Sequence, residues 1–513
     1  TSSVYTFENL INGGYLYVDK TEYIWKLIEQ PRGIYFLSRP RRFGKSLTIS
    51  TLKAVFQGKR HLFKGLALDS RPYDWKAHPV IHLDLGGCGA ADAAGLQTYL
   101  TETIDSAAAA QNMTLSRTGA PGRFTELIER MAERESVVIL IDEYDKPILD
   151  NITKPHVESI RETQESFYSV IKATEPYQRF VLMTGVSKFS KVSVFSKLNN
   201  LEDLSMDVRF AEALGYTQAE LESNFAGHIE EAAAKTGLGR EALLRKTRKW
   251  YNGYKFHPGA ETVYNPVSVA KFFESGGEFR NFWFATGTPS FLLKLAKQQS
   301  FDIESALKEP LSGLAFESFE ISRLKTLPLL FQTGYLTIKR AVEIKGQTRY
   351  YLDFPNMEVE AAFEAYLLEE LACADKESAE IFALDIGEFL ERGDLDSAMR
   401  KLQRFFAGIP YDIQMPAEKY YQTIFFVIFR LIGIYIEAES RSGDGRVDAV
   451  VKTESRVYIF EFKLGGSADE ALRQIHEKKY YESLTVPGRG TTLVGVSFNY
   501  EKRRPENWIS ENI

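Results

Sequence analysis

The chain has 513 residues, of which 44% are hydrophobic and 26% charged, with a net charge of −6. That length allows two to four domains with sizeable cores, and the balance excludes a disordered or low-complexity chain. The acidic total excludes a protein bathed in positive potential, so any contact with nucleic acid must come from local basic patches. Cys88 and Cys373 lie far apart, which argues against a disulfide framework or a zinc site and fits a reducing cytoplasm. No secretory signal pattern opens the sequence. The longest apolar stretch, Ile424 to Ile436, is broken by Arg430 and reads as a buried helix too short to span a membrane. A cytoplasmic location without a membrane partner is therefore expected.

Near the start, Tyr17-Val18-Asp19-Lys20-Thr21 precedes an amphipathic helix from about Glu22, with Thr21 placed to cap it. The apolar run Gly33 to Leu37 then leads into Ser38-Arg39-Pro40-Arg41-Arg42-Phe43-Gly44-Lys45-Ser46, followed by a helical pattern from Leu47 to Lys53. Strand, turn, Gly-Lys-Ser and helix together present backbone N–H groups and a helix N-terminus to a phosphate. Arg41, Arg42, Phe43, Gly44 and Leu47 would form the cradle. Lys45 would reach the β- and γ-phosphates of ATP, and the Ser46 hydroxyl would ligate Mg²⁺. Arg39 stands where G-x-x-x-x-G-K-[ST] has its first glycine. Taken alone, the motif is evenly balanced against a surface turn.

Val80 to Leu85 reads as a strand, an Ala-rich helix runs to about Asn112, and another helix spans Phe124 to Arg134. Next, Ser136-Val137-Val138-Ile139-Leu140-Ile141 has the unbroken apolar character of a strand buried on both faces of a parallel sheet. It ends in Asp142-Glu143, at the strand edge where open α/β sheets bind ligands. Asp142 would hold Mg²⁺ through water and Glu143 would polarise the attacking water. An ordinary acidic loop is the alternative, outweighed by the Gly-Lys-Ser loop about a hundred residues upstream. A third strand, Arg179 to Gly185, carries Thr184, which could sense the γ-phosphate or serve only its turn. Strands alternating with helices to this point predict a right-handed, mostly parallel α/β sheet. From about 200 to 350 the pattern becomes helical and aromatic, with the aromatics expected in cores. Arg209, a lone arginine after the sheet, is a candidate arginine finger.

These stretches together resemble the bacterial AAA-ATPase-like family whose members carry a C-terminal PD-(D/E)XK nuclease-like domain. The resemblance rests on Tyr17 to Thr21, Arg39 to Ser46, Leu140 to Asp145, Tyr251-Asn252-Gly253-Tyr254, Tyr264-Asn265-Pro266, Gly334 to Ile338 and Phe354 to Val359. It covers nearly the whole chain. It implies that Arg39 is a family form of the loop, that ATP and Mg²⁺ are the cofactors, and that a nuclease-like fold follows. The basic cluster Arg39, Arg41 and Arg42 is expected to add charge near the phosphates or to face DNA.

In the last third, apolar residues from Tyr421 to Ile432 recur at helical spacing, with Glu418 near the start of that helix. Glu418 could cap the helix or take part in catalysis, and the two readings weigh equally. Gly445 to Val451 and Arg456 to Lys463 read as a hairpin turning through Thr453-Glu454-Ser455. A symmetric turn places Asp448 opposite Glu461, with Cβ atoms about 5 Å apart. Alternation puts Lys463 on the face of Glu461 and turns Phe462 into the core. Two carboxylates side by side suit a shared hard cation such as Mg²⁺, and Lys463 would position water or stabilise the phosphate. The D-x(12)-E-x-K spacing matches the PD-(D/E)XK signature. Gln474, on the helix Asp469 to Tyr481, resembles a glutamine that some of these nucleases add. Arg473, Lys478 and Lys479 could meet a nucleic-acid backbone or simply be solvated.

The expected architecture is α/β: a P-loop NTPase parallel sheet (1–205), a helical lid or linker (206–352) and a restriction-endonuclease-like domain (353–513). The expected function is an ATP-hydrolysing, Mg²⁺-dependent nuclease in which the ATPase controls the C-terminal site. Nucleic acid is the expected partner, with DNA favoured, and a homo-oligomer is left open. The competing class is a nucleotide-switched module binding nucleic acid or protein through an inactive nuclease fold. A small-molecule kinase would need an acceptor site that no stretch supplies.

Overall fold

A computed structural model describes residues 4–188, 200–283, 307–316, 326–372, 376–409, 424–425, 427–432, 437–440, 448–499 and 501–513. It divides into two compact units, Thr1–Gly287 with Pro310–Glu358, and Thr288–Glu309 with Val359–Ile513.

The first unit is built on five parallel strands, β1 (Gly33–Ser38), β2 (Val80–Asp84), β3 (Val137–Asp142), β4 (Gln178–Gly185) and β5 (Glu202–Asp203), in the order β2-β3-β4-β1-β5. Every residue of β3 is buried, as its unbroken apolar run predicts. Because β4 lies between β1 and β3, the Gly-Lys-Ser turn and the Asp142-Glu143 carboxylates emerge from the same edge one strand apart. The helix Lys45–Phe56 packs on β3 and β4 through a face that buries Ile49, Leu52, Val55 and Phe56. Helices Ala93–Ala109, Ala120–Ala132 and Val157–Ala173 pack on one another, the first against β2 and the second against β3.

The helix after the first motif spans Thr21–Ile28. Thr21 lies inside it, and its hydroxyl does not cap the helix. It donates to Asp19 Oδ1 at 2.7 Å and accepts from Leu68 N at 3.0 Å. The expected cap is thus corrected: the hydroxyl is drawn into a tertiary tie with the loop at Leu68.

Residues 206–283 are mainly helical, with a core that gathers Val18, Leu221, Ile229, Tyr251, Tyr264 and Phe272. This bears out the aromatics as core residues. The unit also holds a small antiparallel sheet, β6 (Leu311–Ser312), β7 (Thr337–Ile344) and β8 (Gln347–Asp353), ordered β6-β8-β7.

In the second unit, strands β9 (Glu437–Ser440), β10 (Ala449–Lys452), β11 (Arg456–Leu464), β12 (Gly490–Asn499) and β13 (Arg504–Asn512) form a mixed sheet ordered β13-β12-β11-β10-β9. Only β11 and β12 run parallel, and the helix Ala468–Lys478 connects them and packs on both. Arg430, which interrupts the apolar run, pairs with Glu360 and Glu364 of the helix Met357–Ala372. No helix among the described residues is long and apolar enough to cross a membrane.

Candidate active sites

The phosphate loop has left-handed backbone at Arg42 (φ 67°) and Gly44 (φ 93°), the residue before the helix Lys45–Phe56. Such alternation turns successive N–H groups toward one side and makes an anion nest. Lys45 is buried and donates Nζ to the Arg39 and Pro40 carbonyls, both at 3.0 Å. Burial lowers its pKa, while Asp142, Glu143 and Asp145 pull the other way. Ser46, the next residue, is exposed.

Across the sheet edge, Asp142 is buried and accepts from Thr184 Oγ1 at 2.5 Å and from Glu143 N at 3.0 Å. Thr184 thereby holds Asp142 in one rotamer. Glu143 has φ 51° and burial raises its pKa, reinforced by Asp142, Asp145 and Asp84 and opposed by Lys45. Asp145 turns inward, accepting from Val186 N at 3.0 Å, Ser187 N at 2.7 Å and Ser187 Oγ at 2.6 Å. It locks the exits of β3 and β4 together.

The loop opens into a cavity of about 570 Å³ lined by Arg41 to Thr48 and Glu143, and on its far walls by Tyr17, Val18, Tyr23, Leu214 and Tyr216. The volume is that of a small-molecule or cofactor site, with the loop's backbone at one end and an apolar, aromatic wall at the other. Lys20 closes one wall, reaching Glu220 at 2.6 Å and the Glu212 carbonyl at 2.9 Å.

In the second unit, β10 and β11 pair Ala449 with Phe460 and Lys452 with Val457, and the Thr453 N–H donates to the Arg456 carbonyl at 2.8 Å. The hairpin register is the one expected, and one step further it sets Asp448 beside Glu461. Asp448 Oδ2 accepts from Phe462 N at 2.8 Å. Phe462 itself turns to the opposite side, its ring 4.4 Å from that of Phe425. Gln474 links the site from the neighbouring helix, donating Nε2 to Glu461 Oε1 and accepting from Lys463 Nζ at Oε1. Glu461 Oε2 is buried without a hydrogen-bond partner. Burial, then the Asp448 charge, pushes Glu461 up to about 8.

An orphaned carboxylate oxygen beside a second carboxylate fits a hard divalent cation, which would satisfy the first and neutralise both. Among the described residues no group of three or more His, Cys, Asp or Glu could hold a metal. Asp448 and Glu461 would thus supply two ligands, with water and backbone or substrate oxygens completing the shell.

Residues 2–195 match the model of a family described as "Predicted AAA-ATPase", and residues 416–508 match that of the PD-(D/E)XK nuclease superfamily. A protein of Azotobacter chroococcum mcd 1, named "Uncharacterized protein in vnfD 5'region", is 37% identical over 526 residues, covering 99% of this chain and 98% of the relative. The chain belongs to this AAA-ATPase-like family with a C-terminal PD-(D/E)XK domain.

Within the AAA-ATPase-like unit, the middle motifs form the backing of the phosphate loop. Phe43 is buried edge-on against Tyr254 (4.8 Å) and Phe256 (5.5 Å). Asn265 Nδ2 and Trp283 Nε1 both approach the Arg41 carbonyl at 3.4 Å, and Pro40 lies against Gly334, whose missing side chain leaves it room.

The expectation that Arg39, Arg41 and Arg42 all add charge near phosphates or face DNA is corrected for Arg39. Arg39 is 1% exposed, donates to the Ser38, Ser205 and Phe210 carbonyls at 2.8–2.9 Å, and stacks on Phe256 at 4.1 Å. Burial pushes its pKa down to about 9, opposed by Asp203. Arg42 donates Nη1 to the Phe282 carbonyl at 2.7 Å. Of the three arginines, Arg41 is the exposed one, and Arg41 and Arg42 both line the cavity. Arg209 is exposed and paired with Asp207 (2.5 Å) and Glu202 (2.6 Å).

Glu418 lies outside the described residues. Sequence reading missed Asp84, paired in register with Asp142 at the same sheet edge, although it likewise stands near the end of a stretch, Val80 to Leu85, that reads as a strand. It also assigned no role to Tyr17, Val18 and Lys20, which line the cavity. Gly495 on β12 had no local signal. A Cβ there would lie 2.3 Å from the Ala468 carbonyl oxygen, so its absence lets the Gln474 helix seat on the sheet.

Proposed function

We propose that the protein is an ATP-hydrolysing, Mg²⁺-dependent nuclease acting on DNA, with the ATPase controlling the C-terminal site, in defence against mobile DNA or in its processing. In this reading residues 1–205 carry the ATPase, 206–352 its lid and 353–513 the nuclease. The observation that carries it is the Asp448–Glu461 pair with its orphaned oxygen beside Lys463 and Gln474. A bound cation would lower the pKa of a water and polarise the scissile phosphate. Asp448 and Glu461 would hold that cation. Lys463 places positive charge where the phosphate gains negative charge, and Gln474 orients both Glu461 and Lys463. In the first unit, the Arg41–Leu47 cradle and Lys45 would bind phosphates, Ser46 and Asp142 would hold the cation, and Glu143 would orient the attacking water.

A cleavage panel of double- and single-stranded DNA and RNA, with and without ATP and Mg²⁺, tests the whole reading. Lys45→Ala is expected to lower ATP turnover at least a hundredfold. Unchanged turnover removes the loop assignment. Asp448→Ala and Lys463→Ala are each expected to lower Mg²⁺-dependent cleavage at least a hundredfold while leaving ATP hydrolysis intact. Cleavage that persists in both removes the hairpin assignment, and nucleic-acid binding without cleavage in the unsubstituted protein replaces the nuclease by a binding module.

A further inference from the structure

A short chain of hydrogen bonds joins the phosphate loop to the helix that leads out of the first unit. Arg42 Nη1 donates to the Phe282 carbonyl at 2.7 Å. The next N–H, that of Trp283, donates to Glu358 Oε1 at 2.9 Å, and the Phe282 N–H donates to the same oxygen at 2.6 Å. The Phe282 carbonyl and the Trp283 N–H belong to one peptide group, which is planar and stiff. A shift of the Arg42 guanidinium therefore tilts the N–H that Glu358 holds.

The other end is equally tied. Glu358 is fully buried, accepts from Ser268 Oγ at 2.8 Å through Oε2, and its carbonyl accepts from Asn281 Nδ2 at 3.1 Å. It is the second residue of the helix Met357–Ala372 and the last residue of the first unit, and the chain from Val359 onward belongs to the second. Trp283 adds a parallel tie, with Nε1 at the Arg41 carbonyl and its ring 5.0 Å from that of Tyr335. A buried carboxylate of this kind is weak evidence for stability, since an apolar group of similar size often serves as well. What an apolar group cannot do is hold two successive N–H groups of a segment that the phosphate loop also holds.

We propose that Glu358 is a positioning residue that couples the phosphate loop, through the Phe282–Trp283 peptide, to the first turn of the helix Met357–Ala372, so that nucleotide at the loop is read by the chain entering the second unit. The proposal rests on the nucleotide reading of the loop. Its test is hydrogen–deuterium exchange on the full chain, with and without Mg²⁺ and ATP or a non-hydrolysable analogue. Nucleotide is expected to change exchange at least threefold both in residues 39–47 and in 357–372. Glu358→Ala keeps the response of 39–47 and loses that of 357–372, whereas Glu358→Gln, which retains an acceptor oxygen, keeps both. Should Glu358→Ala fail to fold, Ser268→Ala removes one bond to the carboxylate and is expected to weaken the 357–372 response.

A loop that responds while 357–372 does not overturns the coupling, as does a helix response that survives in Glu358→Ala, or that Ser268→Ala leaves undiminished where that variant stands in. Absence of nucleotide binding removes the proposed function and the coupling with it. If both segments respond but cleavage ignores ATP, the coupling stands and only ATP control of the nuclease falls.

Discussion

Arg39 shows how a departure from a motif acquires a physical reason. A glycine is needed where the backbone must be left-handed or where another group approaches closely. In this loop the left-handed positions are Arg42 and Gly44, so position 39 is free to carry a side chain. That side chain runs inward and satisfies two carbonyls from beyond the sheet, at Ser205 and Phe210, besides that of Ser38. Arg39→Ala should leave buried carbonyls unpaired and cost about 3 kcal/mol, seen as a lowered melting temperature. Arg39→Lys should recover only part, because one ammonium lacks the planar fork that reaches divergent acceptors. Melting unchanged in the alanine variant would show that water replaces the guanidinium without cost.

At the scale of elements, the C-terminal site depends on how closely one helix approaches the sheet. The hairpin presents Asp448, Glu461 and Lys463 by register alone, but Gln474 arrives on the helix Ala468–Lys478, seated over Gly495. A methyl group at 495 would meet the Ala468 carbonyl at 2.3 Å and the Leu472 nitrogen at 2.6 Å, both backbone atoms that cannot rotate away. Gly495→Ala is therefore expected to displace the helix, separate Gln474 from Glu461 and Lys463, and reduce cleavage at least tenfold with ATP hydrolysis unchanged. Gln474→Ala should reproduce the loss of cleavage with a smaller loss of stability, because the helix stays in place. Full activity in Gly495→Ala would mean that the helix position does not matter to the site.

For the whole molecule, buried carboxyl groups set a pH dependence. Glu358 is pushed up to about 7 by burial, opposed by its hydrogen bonds and by Arg42, while burial and then the Glu358 charge raise the Tyr251 and Tyr254 hydroxyls. Its folded pKa exceeds that of an unfolded glutamate, about 4.3. Its stabilising contribution is thus complete below about pH 4 and is lost as the pH rises through 7. The loss is about 4 kcal/mol at most. Melting temperature should fall between about pH 4 and 7, and Glu358→Gln should flatten that part of the curve. An identical slope in the glutamine variant would assign the dependence to other groups.

The parts of this protein legible in its sequence are those governed by local periodicity and short spacing. The buried run of β3, the Gly-Lys-Ser turn and the hairpin register that sets Asp448 beside Glu461 all follow from alternation and turn chemistry, which act over a few residues. Tertiary structure alone decided that Arg39 points inward, that Thr21 joins Leu68 instead of capping its helix, that Tyr17, Val18 and Tyr216 line one cavity, and that Gly495 admits the Gln474 helix. Each is a meeting of groups tens to hundreds of residues apart. Their contact is set by how whole elements pack, and no local pattern of side chains encodes it.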